Sequence, residues 1–339
     1  MRATAGPEAA PIAVEALARG HRLRAWELAP WLVAVLAYFV FPSYLALGSQ
    51  ILISILFALS IDLILGYAGI VTLGQSAFFG AGAYTAGLLA AHGWGEPLTG
   101  LAAAALVAAV LGLLSGAVIL RTKGLSLLML TLVIAAMLQE AANKAGGITG
   151  GADGLQGMAV WPVLGLFPFD FYDRTAYVYS LAVLFLAWLA ARRLVHSPFG
   201  RSLTGIRENE ARMHAIGSPV FRRRLIIYTI AAALAGIAGA LLAETTQYVA
   251  LDVLGFERSG SALIMLIIGG VGRLYGPFIG VPIYMIAQDR FAQAYPIYWE
   301  FWIGLALIIL VLAGRERVAS APRRLIALIA PRAAQRGAA

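Results

Sequence analysis

Runs of about 20 apolar residues follow one another along most of this 339-residue chain, and they restrict the folds that it can adopt. A run of this length is what an α-helix needs to cross the hydrocarbon core of a bilayer. Composition agrees, because only 12% of the residues are charged, whereas soluble domains carry about 25%. A soluble enzyme, a disordered chain and a fibrous repeat are therefore excluded. The sequence predicts an all-α integral membrane protein.

The apolar segments that are long enough to span number about ten. They lie at about 28–47, 49–66, 70–91, 97–120, 124–142, 175–194, 222–245, 258–272, 274–291 and 298–314. Glycine and proline interrupt 70–91 and 258–291, so we expect broken or re-entrant helices there. No linker or change of composition divides the chain. We predict one transmembrane domain, 28–314, between an N-terminal arm, 1–27, and a C-terminal tail, 315–339.

Lysine and arginine are distributed unequally between alternate gaps. Of the 25 Lys and Arg residues, only four lie in one set of gaps, namely Lys144, Arg174, Arg258 and Arg290. Because cytosolic loops carry the excess of positive charge, we predict that both termini are cytosolic. Loop 143–174 is then external and loop 195–221 is cytosolic. The net charge of +8 reflects this topology, and no nucleic-acid partner is predicted.

The sequence carries no motif for ATP hydrolysis, metal binding or covalent catalysis. A phosphate-binding loop ends in Lys followed by Ser or Thr, and neither Lys123 nor Lys144 lies in such a loop. Cysteine is absent, and the four histidines are too scattered for a zinc site. Ser76 lacks the second glycine of a nucleophile elbow. We predict no cofactor and no metal, so any ATP hydrolysis must come from other chains.

A glycine-rich stretch over 66–82 has a fainter counterpart over 269–280. Interrupted segments in two halves of a transporter indicate a translocation pathway, although small residues also permit close helix packing. Asp62 lies within a span, one turn before Gly66, and is either a pathway residue or a paired structural residue. The candidate pathway residues are Asp62, Gly66, Gly69, Thr72, Gly74, Gln75, Ser76, Gly269, Gly270 and Gly276.

Loop 195–221 has a helical pattern of its own. Its apolar residues recur at spacings that place them on one helical face, namely Leu203, Ile206, Met213 and Ile216. Gly217 can end a helix in a left-handed conformation, and Pro219 prevents its continuation. Residues 200–217 therefore predict one or two short amphipathic helices, which either bind a partner protein or lie on anionic membrane lipid. The residues of this loop that we single out are Leu203, Ile206, Arg207, Glu208, Glu210, Ala211, Met213 and Gly217.

Four motifs occur in order along the chain. They are DLILGYAGIVTLGQSAFFGAGAYT within 61–85, TGGADGL at 149–155, the loop 200–217, and MLIIGGVGRLYGP at 265–277. Together they resemble the permease subunits of branched-chain amino acid ABC importers, specifically the LivM-like subunit. The resemblance covers roughly 45–315.

This resemblance implies an ABC importer permease fold in the bacterial cytoplasmic (inner) membrane. It implies four kinds of partner: a second homologous permease subunit, two cytosolic ATPase subunits, an external solute-binding protein and the transported amino acid. It also implies that the residues singled out in loop 195–221 couple to an ATPase subunit, with the apolar face of the loop helices in a groove of that subunit. Leu, Ile and Val are the implied substrates, with urea and amides in related systems. The family usually carries Asn where this chain has Asp62. A self-sufficient secondary transporter and an intramembrane enzyme are the alternatives from other classes.

Overall fold

The computed structural model of the chain describes residues 25–163, 165, 167–168, 173–294, 298, 301–302 and 304–305. In this part of the chain the backbone is mostly α-helical, and the extended segments form only two isolated β-bridges. The helices of more than one turn are α1 (Ala29–Val40), α2 (Leu45–Asp62), α3 (Gln75–Ala91), α4 (Pro97–Ile119), α5 (Leu125–Lys144), α6 (Arg174–His196), α7 (Pro198–Glu208), α8 (Glu210–Ala215), α9 (Val220–Thr246), α10 (Phe256–Gly269) and α11 (Gly276–Ala294). The predicted all-α class is confirmed.

Among the described residues, five helices are long and apolar enough to cross a membrane. They cover Pro42–Tyr67, Pro97–Ile119, Leu125–Lys144, Arg174–His196 and Val220–Thr246. Each coincides with one of the predicted spans, so a chain that crosses the membrane several times is confirmed. α1 is apolar but shorter, and it occupies only the first part of the predicted span 28–47.

In the part of the chain that the structure describes, no helix at the other predicted spans is both long and apolar enough to be counted with these five, so the number ten is not confirmed. In segment 70–91 the α-helix begins only at Gln75. α10 has 14 residues, which make it about 21 Å long, whereas the hydrocarbon core is about 30 Å thick. The breaks predicted in 70–91 and 258–291 are therefore present. Most of segment 298–314, residues 1–24 of the arm and the tail 315–339 lie outside the described residues.

Small residues form the centre of the helix packing. α9 packs against α3 and α4, and Gly236 of α9 lies at both contacts. A Cβ on Gly236 would lie 2.8 Å from the carbonyl oxygen of Ala104 in α4, and Gly82 of α3 approaches the backbone of Gly236. Ala231, Ala235 and Ala238 of α9 are fully buried. Backbones that approach this closely gain dispersion contacts without a large apolar side chain. Gly82 is therefore explained by packing, the alternative to a pathway role.

The gaps between helices meet in two groups at the two ends of the long helices. At one end, residues 92–96, 154–161 and 248–249 are joined by backbone hydrogen bonds. At the other end, residues 120–124 and 270–275 lie beside α7, α8 and the break between α2 and α3. These two groups agree with the two sets of alternate gaps that the distribution of Lys and Arg distinguishes. Which end is cytosolic stays a prediction.

Single cysteines test the predicted sidedness, because the chain has none of its own. Ala152 and Ala215 are exposed and belong to opposite ends. In intact cells, a membrane-impermeant maleimide added outside should label Ala152→Cys and should reach Ala215→Cys only after lysis. Labelling of position 215 from outside would reverse the topology.

The chain forms two compact units, residues up to Val281 and residues from Pro282. In the second unit, Gln293 Nε2 donates to Asp289 Oδ2 at 2.9 Å within one helical turn. All site residues discussed below belong to the first unit.

The last residue of the predicted arm, Glu27, is tied to α6 by a buried ion pair. Arg192 Nη2 lies 3.0 Å from Glu27 Oε2, and the two side chains are 7% and 16% exposed. Beside this pair, the Trp31 ring packs edge-on against Phe185 and Trp188, at centroid distances of 4.9 and 5.5 Å. Together the two contacts fix the start of α1 against α6.

Glu27→Ala should lower the free energy of unfolding by about 3 kcal/mol, since it removes the carboxylate beside a buried guanidinium. Glu257→Ala is the control, because Glu257 is exposed in the first turn of α10 and its loss should cost less than about 1 kcal/mol. Thermal unfolding of the detergent-solubilised protein, followed by tryptophan fluorescence, measures both. Equal melting temperatures for the two variants would contradict a stabilising role for the pair.

Candidate functional site

The helix that begins at Leu45 breaks before the next one starts, and four of the ten candidate pathway residues lie in this break. α2 ends at Asp62, a π-helical turn covers Leu63–Tyr67, and the backbone is irregular until α3 begins at Gln75. Gly69 has a φ of +70°, a left-handed conformation that favours glycine. We call residues 63–74 the helix break.

Hydroxyl groups satisfy the backbone that the break leaves without helical partners. The N–H of Gly74 donates to Thr72 Oγ1 at 3.2 Å, and the N–H of Leu73 donates to Thr131 Oγ1 of α5 at 3.4 Å. The N–H of Ser76 donates to Ser259 Oγ of α10 at 2.7 Å. Irregular backbone at membrane depth is tolerated only with such partners. Neither Thr131 nor Ser259 lies in a recognisable motif, so their roles could not be predicted from the sequence.

Three separate parts of the chain meet beside the break. Asp62 Oδ1 accepts a hydrogen bond from the N–H of Gly272 at 2.6 Å. Arg207 Nη1, at the end of α7, donates to the carbonyl oxygen of Gly66. We call Asp62, Gly66, Gly69, Arg207 and Gly272 the Arg207 junction. It joins the break, the loop between α10 and α11, and the helices of loop 195–221.

Glycine is required where these backbones touch. A Cβ on Gly66 would lie 2.5 Å from the nitrogen of Gly272 and 2.6 Å from its Cα. A Cβ on Gly69 would lie 2.7 Å from Cγ of Arg207. The two glycine-rich stretches that resemble each other in sequence therefore touch in the structure, where Gly66 of the first contacts Gly272 of the second. Gly272 was in the pattern but not among the candidate site residues.

The other pathway candidates are buried and do not face the open cavity described below. Thr72, Gln75 and Ser76 are at most 3% exposed. Within the described residues, neither amide atom of Gln75 has a hydrogen-bond partner, and neither does Oγ of Ser76. In the conformation described, the helices enclose these groups. Their predicted position along a passage stays a prediction.

The second glycine cluster packs on itself. Gly276 sits against the backbone of Gly269 and Gly270, and Gly270 has a φ of +104°. Asp62 is fully buried, and one of its carboxylate oxygens holds Gly272. Asp62 therefore makes a structural contact, which is one of the two roles predicted for it. Its other predicted role, in a pathway, stays a prediction.

Two short helices form loop 195–221, as its pattern predicts. Ser197 Oγ accepts from the N–H of Gly200 and caps α7, while Asn209 Oδ1 accepts from the N–H of Arg212 at 2.9 Å and caps α8. Gly217 has a φ of +78°, the left-handed conformation expected after the last turn.

The apolar face of these helices is not a single open surface. Leu203 and Ile206 are each 1% exposed and pack inside this chain, whereas Ile216 is 70% exposed. Met213 is half-buried, and Glu208 and Ala211 are exposed. Leu203 and Ile206 therefore do not belong to an open docking face in this structure, because α7 buries them against other helices of this chain, and the coupling role of the loop stays a prediction.

Glu210 also binds within this chain. Its Oε1 lies 3.0 Å from Lys123 Nζ and 3.0 Å from Arg224 Nη1, and 3.8 Å from His214 Nε2. Burial alone would raise the pKa of Glu210, but the hydrogen bonds and charges of Lys123 and Arg224 outweigh it and lower the pKa from its ordinary value. We call Lys123, Glu210 and Arg224 the Glu210 bridge. It holds α8 to the turn between α4 and α5 and to α9.

An open cavity of about 420 Å³ lies next to the Glu210 bridge. The helix break forms one wall through Gly69, Ile70 and Val71, and the turn between α4 and α5 forms another. Leu125 and Leu128 add an apolar surface. In the described part of the chain, no group of three His, Asp or Glu side chains is arranged to hold a metal ion.

Comparison with known proteins points to one family. A family model described as the branched-chain amino acid transport system permease component matches residues 43–312. The chain is 28% identical over 265 residues to the high-affinity branched-chain amino acid transport system permease protein LivM of Salmonella typhimurium, covering 72% of this chain and 62% of that protein. It is 28% identical over 260 residues to LivM of Escherichia coli, covering 70% and 61%.

A relative of different name matches a shorter stretch. The chain is 32% identical over 149 residues to the autoinducer 2 import system permease protein LsrC of an Enterobacter species, covering 41% of this chain and 43% of that protein. The chain spans less than two thirds of the length of either LivM protein. No solved structure matches it.

Proposed function

The chain belongs to the family of branched-chain amino acid transport system permease components, and on this premise we propose that it is the membrane-spanning permease subunit of an ATP-driven importer. The observation that carries the proposal is the family match over residues 43–312, which includes the five spanning helices and the Arg207 junction. The relatives that match most of the chain are named as permeases and not as enzymes.

We propose branched-chain amino acids, Leu, Ile and Val, or related amino acids as the substrate. The names of both LivM proteins support this choice. LsrC is named for autoinducer 2 import, so members of this wider group differ in substrate. Urea or an amide is the alternative substrate that the resemblance allows.

The proposed complex contains other chains. Neither lysine of this chain lies in a phosphate-binding loop, so the proposal assigns ATP hydrolysis to two cytosolic ATPase subunits. A second homologous permease would form the other half of the pathway, and an external solute-binding protein would deliver the substrate. The proposed location is the bacterial cytoplasmic membrane. The helix pair α7–α8, which the positive-inside rule places in the cytosol, is the proposed dock for an ATPase.

Reconstitution distinguishes this proposal from a secondary transporter. The chain is co-expressed with the reading frames beside its gene, and the purified complex is placed in proteoliposomes with binding protein outside. Radiolabelled leucine, isoleucine or valine should enter only when ATP is enclosed. Uptake by this chain alone, driven by a proton or sodium gradient, would reject the importer. ATP-dependent uptake of urea or an amide without any amino acid would reject the proposed substrate.

A further inference from the structure

The Arg207 junction connects the helices proposed to receive the ATPase movement with the backbone of the helix break. Within the described residues, Arg207 is the side chain of α7 and α8 that hydrogen-bonds the break. Its acceptor, the carbonyl of Gly66, lies in the last turn of a helix, where carbonyls lack intrahelical partners. A guanidinium suits this position, because its charge strengthens the hydrogen bond and complements the negative end of the helix dipole.

The junction also includes the loop between α10 and α11. Asp62 Oδ1 holds the N–H of Gly272, and a Cβ on Gly272 would lie 3.1 Å from Arg207 Nη1. Arg207 therefore lies where the two glycine-rich stretches touch. A displacement of its guanidinium removes a contact from the first stretch and opens space beside the second.

Two polar contacts that lie close together in sequence add to the apolar packing of α7 and hold the helix pair on the rest of the chain. Arg207 anchors the end of α7 to the break, and Glu210 anchors the start of α8 to Lys123 and Arg224. Asn209 between them is extended, with φ −154° and ψ 96°. Because the Glu210 bridge and residues 69–71 line the same cavity, movement of the helix pair changes the wall of that cavity.

We propose that Arg207 is a positioning residue that holds the helix break closed at this end, and that displacement of α7 releases the Gly66 carbonyl and lets the break open toward the cavity. This inference rests on the proposed function for its link to transport, but the closed conformation that Arg207 holds can be tested without transport. The residue acts through the backbone of the break and is not assigned a contact with substrate.

The first test measures the break directly. Ile70 lies in the cavity wall and is only 4% exposed, so Ile70→Cys is protected while the break is closed, in a chain that has no other cysteine. The probe is a membrane-impermeant maleimide, applied to the purified complex without nucleotide. Combining Ile70→Cys with Arg207→Ala should raise the labelling rate about tenfold, the effect of losing one charge-assisted hydrogen bond. Arg207→Lys keeps a charged donor and should stay within about threefold of the parent.

Arg201→Ala is the matched control. Arg201 lies on α7 and is exposed, and its side chain has no contact with the break in the described residues. It should leave the labelling rate of Ile70→Cys within about twofold, which is the range of surface substitutions. If Arg207→Ala does not raise the labelling rate above that of Arg201→Ala, the proposal is overturned.

The second test measures coupling. In proteoliposomes, Arg207→Ala should hydrolyse ATP while the amount of leucine taken up per ATP falls about tenfold, and Arg207→Lys should restore most of it. A merely structural role would lower hydrolysis and uptake together and would overturn the proposal. If the parent complex shows no ATP-driven leucine uptake, the proposed function fails, and the labelling result still decides whether Arg207 holds the break.

Discussion

Replacing Glu210 with arginine is expected to abolish coupled transport, with uptake falling on the order of a hundredfold. The substitution removes both ion pairs of the Glu210 bridge and places a third cation 3.0 Å from the positions of two others. α8 would then lose its attachment to α9 and to the turn between α4 and α5. The measurements are co-purification of the ATPase subunits and uptake per ATP hydrolysed.

Two further variants separate charge from structure. Glu210→Gln keeps an acceptor for Lys123 and Arg224 and should lose less activity than the arginine variant. Adding Lys123→Glu to Glu210→Arg re-creates one ion pair in reversed order and should recover part of the uptake. Unchanged ATPase association and unchanged uptake in Glu210→Arg would show that this loop is not the dock.

Gly66→Ala is expected to prevent assembly of a functional permease. The added methyl group would lie 2.5 Å from a backbone nitrogen and 2.6 Å from the adjacent Cα of Gly272, and neither backbone atom can rotate away. Overpacking against mobile side chains costs about 1–3 kcal/mol, and a clash with backbone exceeds that range. The yield of folded complex in size-exclusion chromatography and leucine uptake should both fall to background.

Gly260→Ala is the matched control for this variant. Gly260 lies within α10, and its Cβ would meet no atom within 4 Å. Alanine is favoured over glycine in a helix by about 1 kcal/mol, so this change should leave the melting temperature the same or higher. A Gly66→Ala complex with the melting temperature and uptake of the parent would refute the close approach of the two glycine-rich stretches.

For the Gly74→Leu variant, the structure predicts a result that differs from the one expected of a pathway residue. If Gly74 lines a passage, leucine there should block uptake and leave the complex intact. In the structure, a Cβ on Gly74 contacts the backbone carbonyl of Thr131 and lies 3.0 Å from the Thr131 Cβ. We therefore expect Gly74→Leu to lower the stability of the complex as well.

Local features of the chain could be predicted from sequence because they depend on residues close in sequence. The helices α7 and α8 follow from their caps, Ser197 and Asn209, and from the stop at Gly217. The long spans follow from apolar length, which is a property of each segment by itself. Apolar length did not predict the short helix α10, which begins after Gly255, an extended residue, and ends before Gly270, which has a φ of +104°.

Contacts between distant segments could not be predicted in the same way. Asp62 and Gly272 are 210 residues apart, and Lys123 and Glu210 are 87 apart. Periodicity placed Leu203 and Ile206 on one face, but it could not tell whether that face packs inside this chain or against another. The same limit applies to Arg207, whose partner is a backbone carbonyl with no sequence signature.

α5 makes the helix break sensitive to the lipid around it. Only three of its residues are buried, Leu127, Thr131 and Ala135, and they form one stripe along an otherwise exposed helix. Its 20 residues span about 30 Å, close to the thickness of the hydrocarbon core. A thinner or thicker bilayer would tilt such a helix, and the hydroxyl and carbonyl of Thr131 would carry that tilt to Leu73 and Gly74. We therefore expect the conformation of the break to respond to the acyl-chain length of the surrounding lipid.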